Sequence, residues 1–153
     1  MIFLPFVLPI CLWVAWSDMA KMKIPNYAVL ALAVVFILLG PFVFEWPDYF
    51  WRLGQGVVIL VIGFLLNQIR LIGAGDAKFA GAMAPFISGQ HIFQFLMLFA
   101  LVLIVSFLGH RLAKNIKPIR NLVPNWESWN HIKFPMGLSL ATALAVYLLL
   151  VTF

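Results

Sequence analysis

The chain alternates long apolar runs with short polar breaks, and the breaks decide how it is read. A first run covers residues 1–17 and gives way to Ser17-Asp18-Met19-Ala20-Lys21-Met22-Lys23-Ile24-Pro25-Asn26. A second spans roughly 27–44 and closes on Glu45-Trp46-Pro47-Asp48. A third covers about 53–72, turning polar only at Asn67, Gln68 and Arg70. After Gly73-Ala74-Gly75-Asp76 a short fourth run goes from Ala77 to about Ile87. A fifth covers roughly 92–109 and a sixth 135–153, with residues 110–134 between them as the longest polar segment. A bilayer-spanning helix needs ~20 residues, and all runs but the fourth approach that length. The pattern predicts an all-α membrane bundle of about six transmembrane helices, in one domain over residues 1–153.

Local signals sharpen the boundaries. Pro5 and Pro9 lie inside the first run, making it a slightly irregular helix. It has no basic segment before it and no small-residue cleavage site after it, so it reads as a retained helix rather than a leader. Pro25 suits the first turn of the second helix, where its missing N–H costs nothing. Ala77, Ala80, Gly81, Ala82 and Ala84 crowd the fourth run with small side chains. Such residues let helix backbones approach closely, which predicts a central position for it.

Composition strengthens the membrane reading. The sequence is 65% hydrophobic and 10% charged, against about half and about a quarter in soluble domains. A formal charge of +5 raises nucleic acid as a partner. No soluble basic domain exists to carry that interaction, so no nucleic-acid binding is expected. Cys11 is the only cysteine, which excludes an internal disulfide and a cysteine metal cluster. If the breaks alternate sides, Lys21, Lys23, Arg70, Lys78, Arg111, Lys114, Lys117, Arg120 and Lys133 share one side. Arg52 stands alone on the other. Basic residues collect on the cytoplasmic side, so both termini are predicted outside and both Asp18 and Asp76 at the cytoplasmic face. The bilayer is thus the first partner, and the cytoplasmic (inner) membrane the expected location.

Those two aspartates are the candidate chemistry. Ionisable groups at membrane depth cost several kcal/mol unless paired or wetted, which marks them as functional candidates. Gly73 and Gly75 remove side chains beside Asp76, leaving room for backbone to approach. Two carboxylates within a few ångström of each other cannot both ionise easily, so one keeps its proton near neutral pH. The charged one can take a proton from water while the neutral one polarises a carbonyl. That is aspartic proteolysis without metal or other cofactor. The plain alternative is that each acid ends a helix and pairs with Lys21 or Lys78.

The surrounding residues carry a resemblance. Asp18-x-x-Lys21-x-Lys23-Ile24-Pro25-Asn26 resembles the D-x-x-x-[RK]-x-I-P-N signature of prepilin peptidases, with a looser basic spacing. Gly73-Ala74-Gly75-Asp76-Ala77-Lys78 is similar to the GxGD-x-K motif of the same membrane aspartyl proteases. Phe134-Pro135-Met136-Gly137 is similar to the proline-containing start of the family's final span. Long members carry an extra segment with paired C-x-x-C motifs, absent from this sequence. The chain therefore resembles the short, tight-adherence (Flp pilus) branch, of TadV/CpaA type, or the archaeal preflagellin peptidases. Presenilin-type proteases place tyrosine directly before the first acid, where Ser17 stands here.

The resemblance implies removal of the short basic leader of a pilin precursor, without zinc dependence or N-methylation. Asp18 and Asp76 would be catalytic, with Gly73 and Gly75 admitting the extended substrate backbone. Lys78 would tune or orient Asp76, or simply anchor the cytoplasmic side, and Lys21 and Lys23 share that choice. Pro25 and Asn26 would shape the turn. His91, His110 and His131 fall in separate breaks and form no ligand cluster, so no metal is expected. Basic and aromatic residues in 110–134 suit a segment lying on an anionic leaflet, with Pro118 and Pro124 interrupting any helix. Two readings from other classes compete. One is a small transporter using the acids as proton sites, although transporters place such acids near the midplane of matched halves. The other is a catalytically silent scaffold of a pilus machine.

Overall fold

A computed structural model of the chain describes residues 2–131 and 133–151. The apolar runs become α1 (Leu4–Lys21), α2 (Asn26–Val43), α3 (Trp46–Gln68), α4 (Ala74–Met83), α5 (Ile92–Asn115) and α7 (Met136–Leu150). A short α6 (Lys117–Leu122) lies in the long polar segment. The described residues hold only helices and turns, so the protein is an all-helical, polytopic bundle.

Four helices, α1, α2, α3 and α5, are long and apolar enough to cross a membrane. The other two expected spans are shorter, α4 having 10 residues and α7 having 15. At 1.5 Å per residue α4 rises only ~15 Å. Pro85 ends its regular ladder, and a 3₁₀ turn over Ala84–Phe86 carries the chain onward. Residues 152 and 153 of the predicted sixth run lie outside the described residues.

Other boundaries move for local reasons. α3 begins at Trp46 because Pro47 sits in its first turn, where proline is tolerated. α5 runs six residues past the expected end at 109 and takes in Arg111 and Lys114. Pro25 is not in the first turn of α2 but immediately before it, in extended conformation. Pro9 stays within a continuous α1.

Small residues set the packing. An added Cβ at Gly63 would lie 2.9 Å from Ala77 Cβ, and one at Gly56 would lie 3.1 Å from the Gly81 carbonyl. One at Gly81 would lie 2.8 Å from Leu60 Cβ. α3 and α4 therefore touch almost backbone to backbone, as the small residues of the fourth run predict. α4 also packs on α2 and α7, while α7 lies between α1 and α5. At the end away from Asp18, Phe3, Phe36, Phe44, Tyr49 and Phe86 stack into the core. Much of the outer surface is apolar, including Leu12, Leu38, Val61, Leu65 and Leu101. A surface of that kind faces lipid, where only internally bonded helices are stable.

α5 is the least enclosed of the four long apolar helices. It rests on α7, and an apolar groove of about 640 Å³ runs beside it, between α3 and α5. α4, the 3₁₀ turn after it and α7 contribute Met83, Ala84, Met136 and Leu140 to its walls.

Candidate active site

The break after α1 turns sharply. Met22 closes the helix in the left-handed conformation, at φ 51°, and its N–H donates to the Asp18 carbonyl. Ser17 Oγ donates to the Lys23 carbonyl at 2.8 Å, folding the turn back against the helix end. Ile24 is thereby aimed into the bundle and Asp18 is buried, at 5% exposure.

Asp18 then meets α7. Its Oδ2 accepts the Gly137 N–H at 2.6 Å and the Leu138 N–H at 3.3 Å. The first N–H groups of a helix lack intrahelical partners, and Pro135, the residue before α7, offers no capping side chain. Asp18 caps α7 across the bundle, placing a carboxylate where backbone donors and the helix dipole favour negative charge. Gly137 makes this approach possible. An added Cβ there would lie 2.9 Å from Asp18 Oδ2 and 2.8 Å from Ile24 Cδ1.

Asp76 is built locally. Gly73 precedes α4 in extended conformation and Asp76 is the third helical residue. The acid folds back over Gly73, so that an added Cβ at 73 would lie 2.6 Å from Asp76 Oδ2. Asn67 Nδ2 donates to the Ile72 carbonyl at 2.9 Å and ties the preceding loop to α3. Ile24 joins the two halves. It fills the space beside Gly75, where a Cβ would lie 3.3 Å from its own, and it also reaches Gly137. Asp18, Ile24, Gly75, Asp76 and Gly137 thus converge at one end of the bundle. The two acids are 58 residues apart in sequence (76 − 18).

Asp76 sits at the tip of α4, outside the four long apolar helices. Burial and then the Asp18 charge push its pKa up to about 6, against a smaller lowering by the Gly73 N–H. It also stands at the end of the groove, where Ile72 and Met136 line the same wall. A half-buried acid next to another carboxylate, opening on an apolar groove, can hold a proton and present it to a carbonyl.

The glycines therefore differ from expectation. Space beside Gly73 is taken by the Asp76 carboxyl and space beside Gly75 by Ile24, so neither leaves a free channel for substrate backbone. The lysines differ as well. Among the described residues, neither acid pairs with Lys21 or Lys78. Lys78 Nζ instead donates to Asn26 Oδ1 at 3.2 Å, bridging α4 to the start of α2. Lys21 and Lys23 have exposed side chains, and only the Lys23 carbonyl takes part in the turn. Pro25 and Asn26 shape the start of α2, as expected of turn residues.

Reading the sequence missed Ile24, Ser17 and Gly137 as parts of this site. Ile24 and Gly137 were visible only as motif letters, because contacts across 50 to 120 residues leave no periodic trace. His91 contacts Tyr147 at the opposite end, but His110 and His131 line one small cavity. Part of the 110–134 segment packs against α1. Trp126 meets Trp16 edge-on, and Trp129 is buried with its Nε1 donating to the Val123 carbonyl at 2.9 Å.

Neither a curated protein nor a solved structure is similar enough to match this chain. A family model does match, over residues 5–112, which takes in α1 to α4, most of α5 and both aspartate motifs. It describes the type IV leader peptidase family, and this chain belongs to that family.

Proposed function

We infer that this leader peptidase is an aspartyl endopeptidase that cleaves the basic leader from a prepilin of the Flp, tight-adherence kind. It works at the cytoplasmic face of the inner membrane, with Asp18 and Asp76 as its catalytic pair. One observation carries the reading: two acids from different helices meet at one end of the bundle with different hydrogen-bond partners. Asp18 receives two backbone N–H groups at the start of α7, which suits an ionised oxygen. Asp76 is held up to about 6 by burial and by that neighbouring charge, which suits a proton carrier.

In this mechanism a water molecule between the carboxyls gives its proton to Asp18 as its oxygen attacks the scissile carbonyl carbon. Asp76 passes its proton to the carbonyl oxygen, forming a neutral tetrahedral diol. When the C–N bond breaks, Asp18 returns a proton to the leaving nitrogen. The diol hydroxyl restores the proton of Asp76, leaving acid and amine products. The groove ending at Asp76 is apolar along its length. It suits a substrate whose scissile bond borders an apolar segment, delivered sideways from the bilayer. The nine-to-one distribution of basic residues supports the cytoplasmic orientation.

The test is cleavage of a prepilin by membranes carrying Asp18→Asn, Asp76→Asn or both. Each single change is expected to abolish leader removal, and the double change to cost no more, because residues acting as a unit fail together. The amide is close in size to the carboxylate, so the variants should accumulate normally. Near-normal cleavage by Asp18→Asn would sink the two-acid mechanism.

A further inference from the structure

At the end of α5 the structure brings together cationic side chains that the peptidase reading does not use. His110 is 7% exposed and its Nε2 is buried without a hydrogen-bond partner. It is fixed from two sides, stacked on Trp129 at 5.2 Å between centroids and edge-on to Phe134 at 5.9 Å. The same ring borders a void of about 10 Å³, the space of a single water or oxygen atom. Arg111, Lys114, His131 and Lys133 line that void, and no carboxylate does. A buried unpaired nitrogen costs about 1–3 kcal/mol, so its natural complement is an oxygen that enters the void.

The position selects the source of that oxygen. α5 carries no charged or histidine side chain from Ile92 to Gly109, with only Gln94 and Ser106 polar there, and its basic residues begin at His110 and Arg111. The cluster therefore lies where an apolar span stops, at the depth of lipid headgroups. Leu101, Ile104, Val105, Leu108 and Leu112 lie exposed along α5 leading to it, a path suited to an acyl chain. Basic pockets beside membrane helices at this depth take anionic headgroups.

We propose that the cleft formed by His110, Arg111, Lys114, His131 and Lys133 binds the phosphodiester headgroup of an anionic phospholipid. One phosphate oxygen occupies the void and accepts the Nε2–H of His110, while the flanking cations balance its charge. The site is independent of the peptidase chemistry, because it contains neither aspartate. It does adjoin the path to Gly137, since Phe134 of its wall lies three residues earlier.

Native mass spectrometry of the full chain in detergent, with phosphatidylglycerol or phosphatidylcholine added, tests the site away from the diffuse attraction of a membrane surface. Wild-type protein should retain phosphatidylglycerol in preference to phosphatidylcholine. His110→Phe keeps the ring in its stack and removes the nitrogen, and should lower retention about fivefold. Lys114→Gln with Lys133→Gln, at the rim of the void, should lower it about tenfold, at roughly a factor of five or less per surface charge. That pair keeps the test sound if the buried substitution disturbs folding. Lys117→Gln with Arg120→Gln removes equal charge outside the void and should change retention less than about twofold. Equal losses in the two double variants would overturn the proposal in favour of diffuse charge. Undiminished retention in both His110→Phe and the Lys114/Lys133 variant would overturn it outright. So would equal retention of phosphatidylcholine. Displacement of the lipid by millimolar inorganic phosphate would assign the cleft to the free ion and defeat the lipid reading.

Discussion

Asp18 and Asp76 share one side chain and differ in what surrounds it. Asp18 draws its donors from a helix that begins 118 positions later (136 − 18), so its setting depends on Gly137 having no Cβ. Gly137→Ala should displace the Asp18 carboxyl or Ile24 and cut kcat at least tenfold, with a stability loss of about 1–3 kcal/mol from overpacking. Normal turnover in that variant would mean that the α7 cap is irrelevant to cleavage. In the proposed mechanism Asp76 sets a pH dependence with a definite sign. It must be protonated to act as the acid, so activity is lost as pH rises through its pKa of about 6. The kcat/KM profile, which reports free-enzyme groups, should fall about tenfold per pH unit on the basic side. A profile flat from about pH 5 to 8 would remove Asp76 from that role.

Among the elements, α4 bears the closest tolerances. Gly63 and Gly81 bring α3 and α4 nearly into backbone contact, and Gly63 faces Ala77, the residue next to Asp76. Gly63→Leu should push the tip of α4 outward, costing about 1–3 kcal/mol and abolishing cleavage together. Gly54 lies in the same helix with nothing within 4 Å of an added Cβ. Gly54→Ala should therefore be neutral or raise stability by up to about 1 kcal/mol, through helix propensity alone. Thermal unfolding in detergent beside a cleavage assay separates the two. Equal effects of both substitutions would mean that α3–α4 spacing does not position the site. The small residues of the fourth run announced this contact. Its partner glycines on α3 were not singled out, because they interrupt an otherwise ordinary apolar run.

For the whole molecule, the charge distribution predicts an orientation. Arg52, the lone basic residue of its side, is buried, with Nε donating to Asp48 Oδ2 at 2.8 Å and the guanidinium over the Phe44 ring at 4.0 Å. Its charge is answered inside the fold, which leaves the other nine residues to set the topology. Reporter fusions after residue 25, near 75 and near 120 should all register cytoplasm, and one near 48 the outside. A cytoplasmic signal at 48 would reverse the shared face expected for the acids.

Hydropathy and charge act residue by residue, so the sequence alone determined the helical class, the rough spans, the pairing of two aspartate motifs and the family they resemble. It could also show α4 as central, because small side chains declare close packing wherever they fall. Tertiary structure decided what lies between the helices. Only in three dimensions does Asp18 cap α7, does Ile24 occupy the space that Gly75 and Gly137 vacate, and does Lys78 turn to Asn26 instead of Asp76. Those outcomes depend on distances between segments far apart in the chain, set by helix packing rather than by any local preference. The same reason brings His110 and His131, 21 positions apart (131 − 110), to one cavity that no periodicity in the sequence foretells.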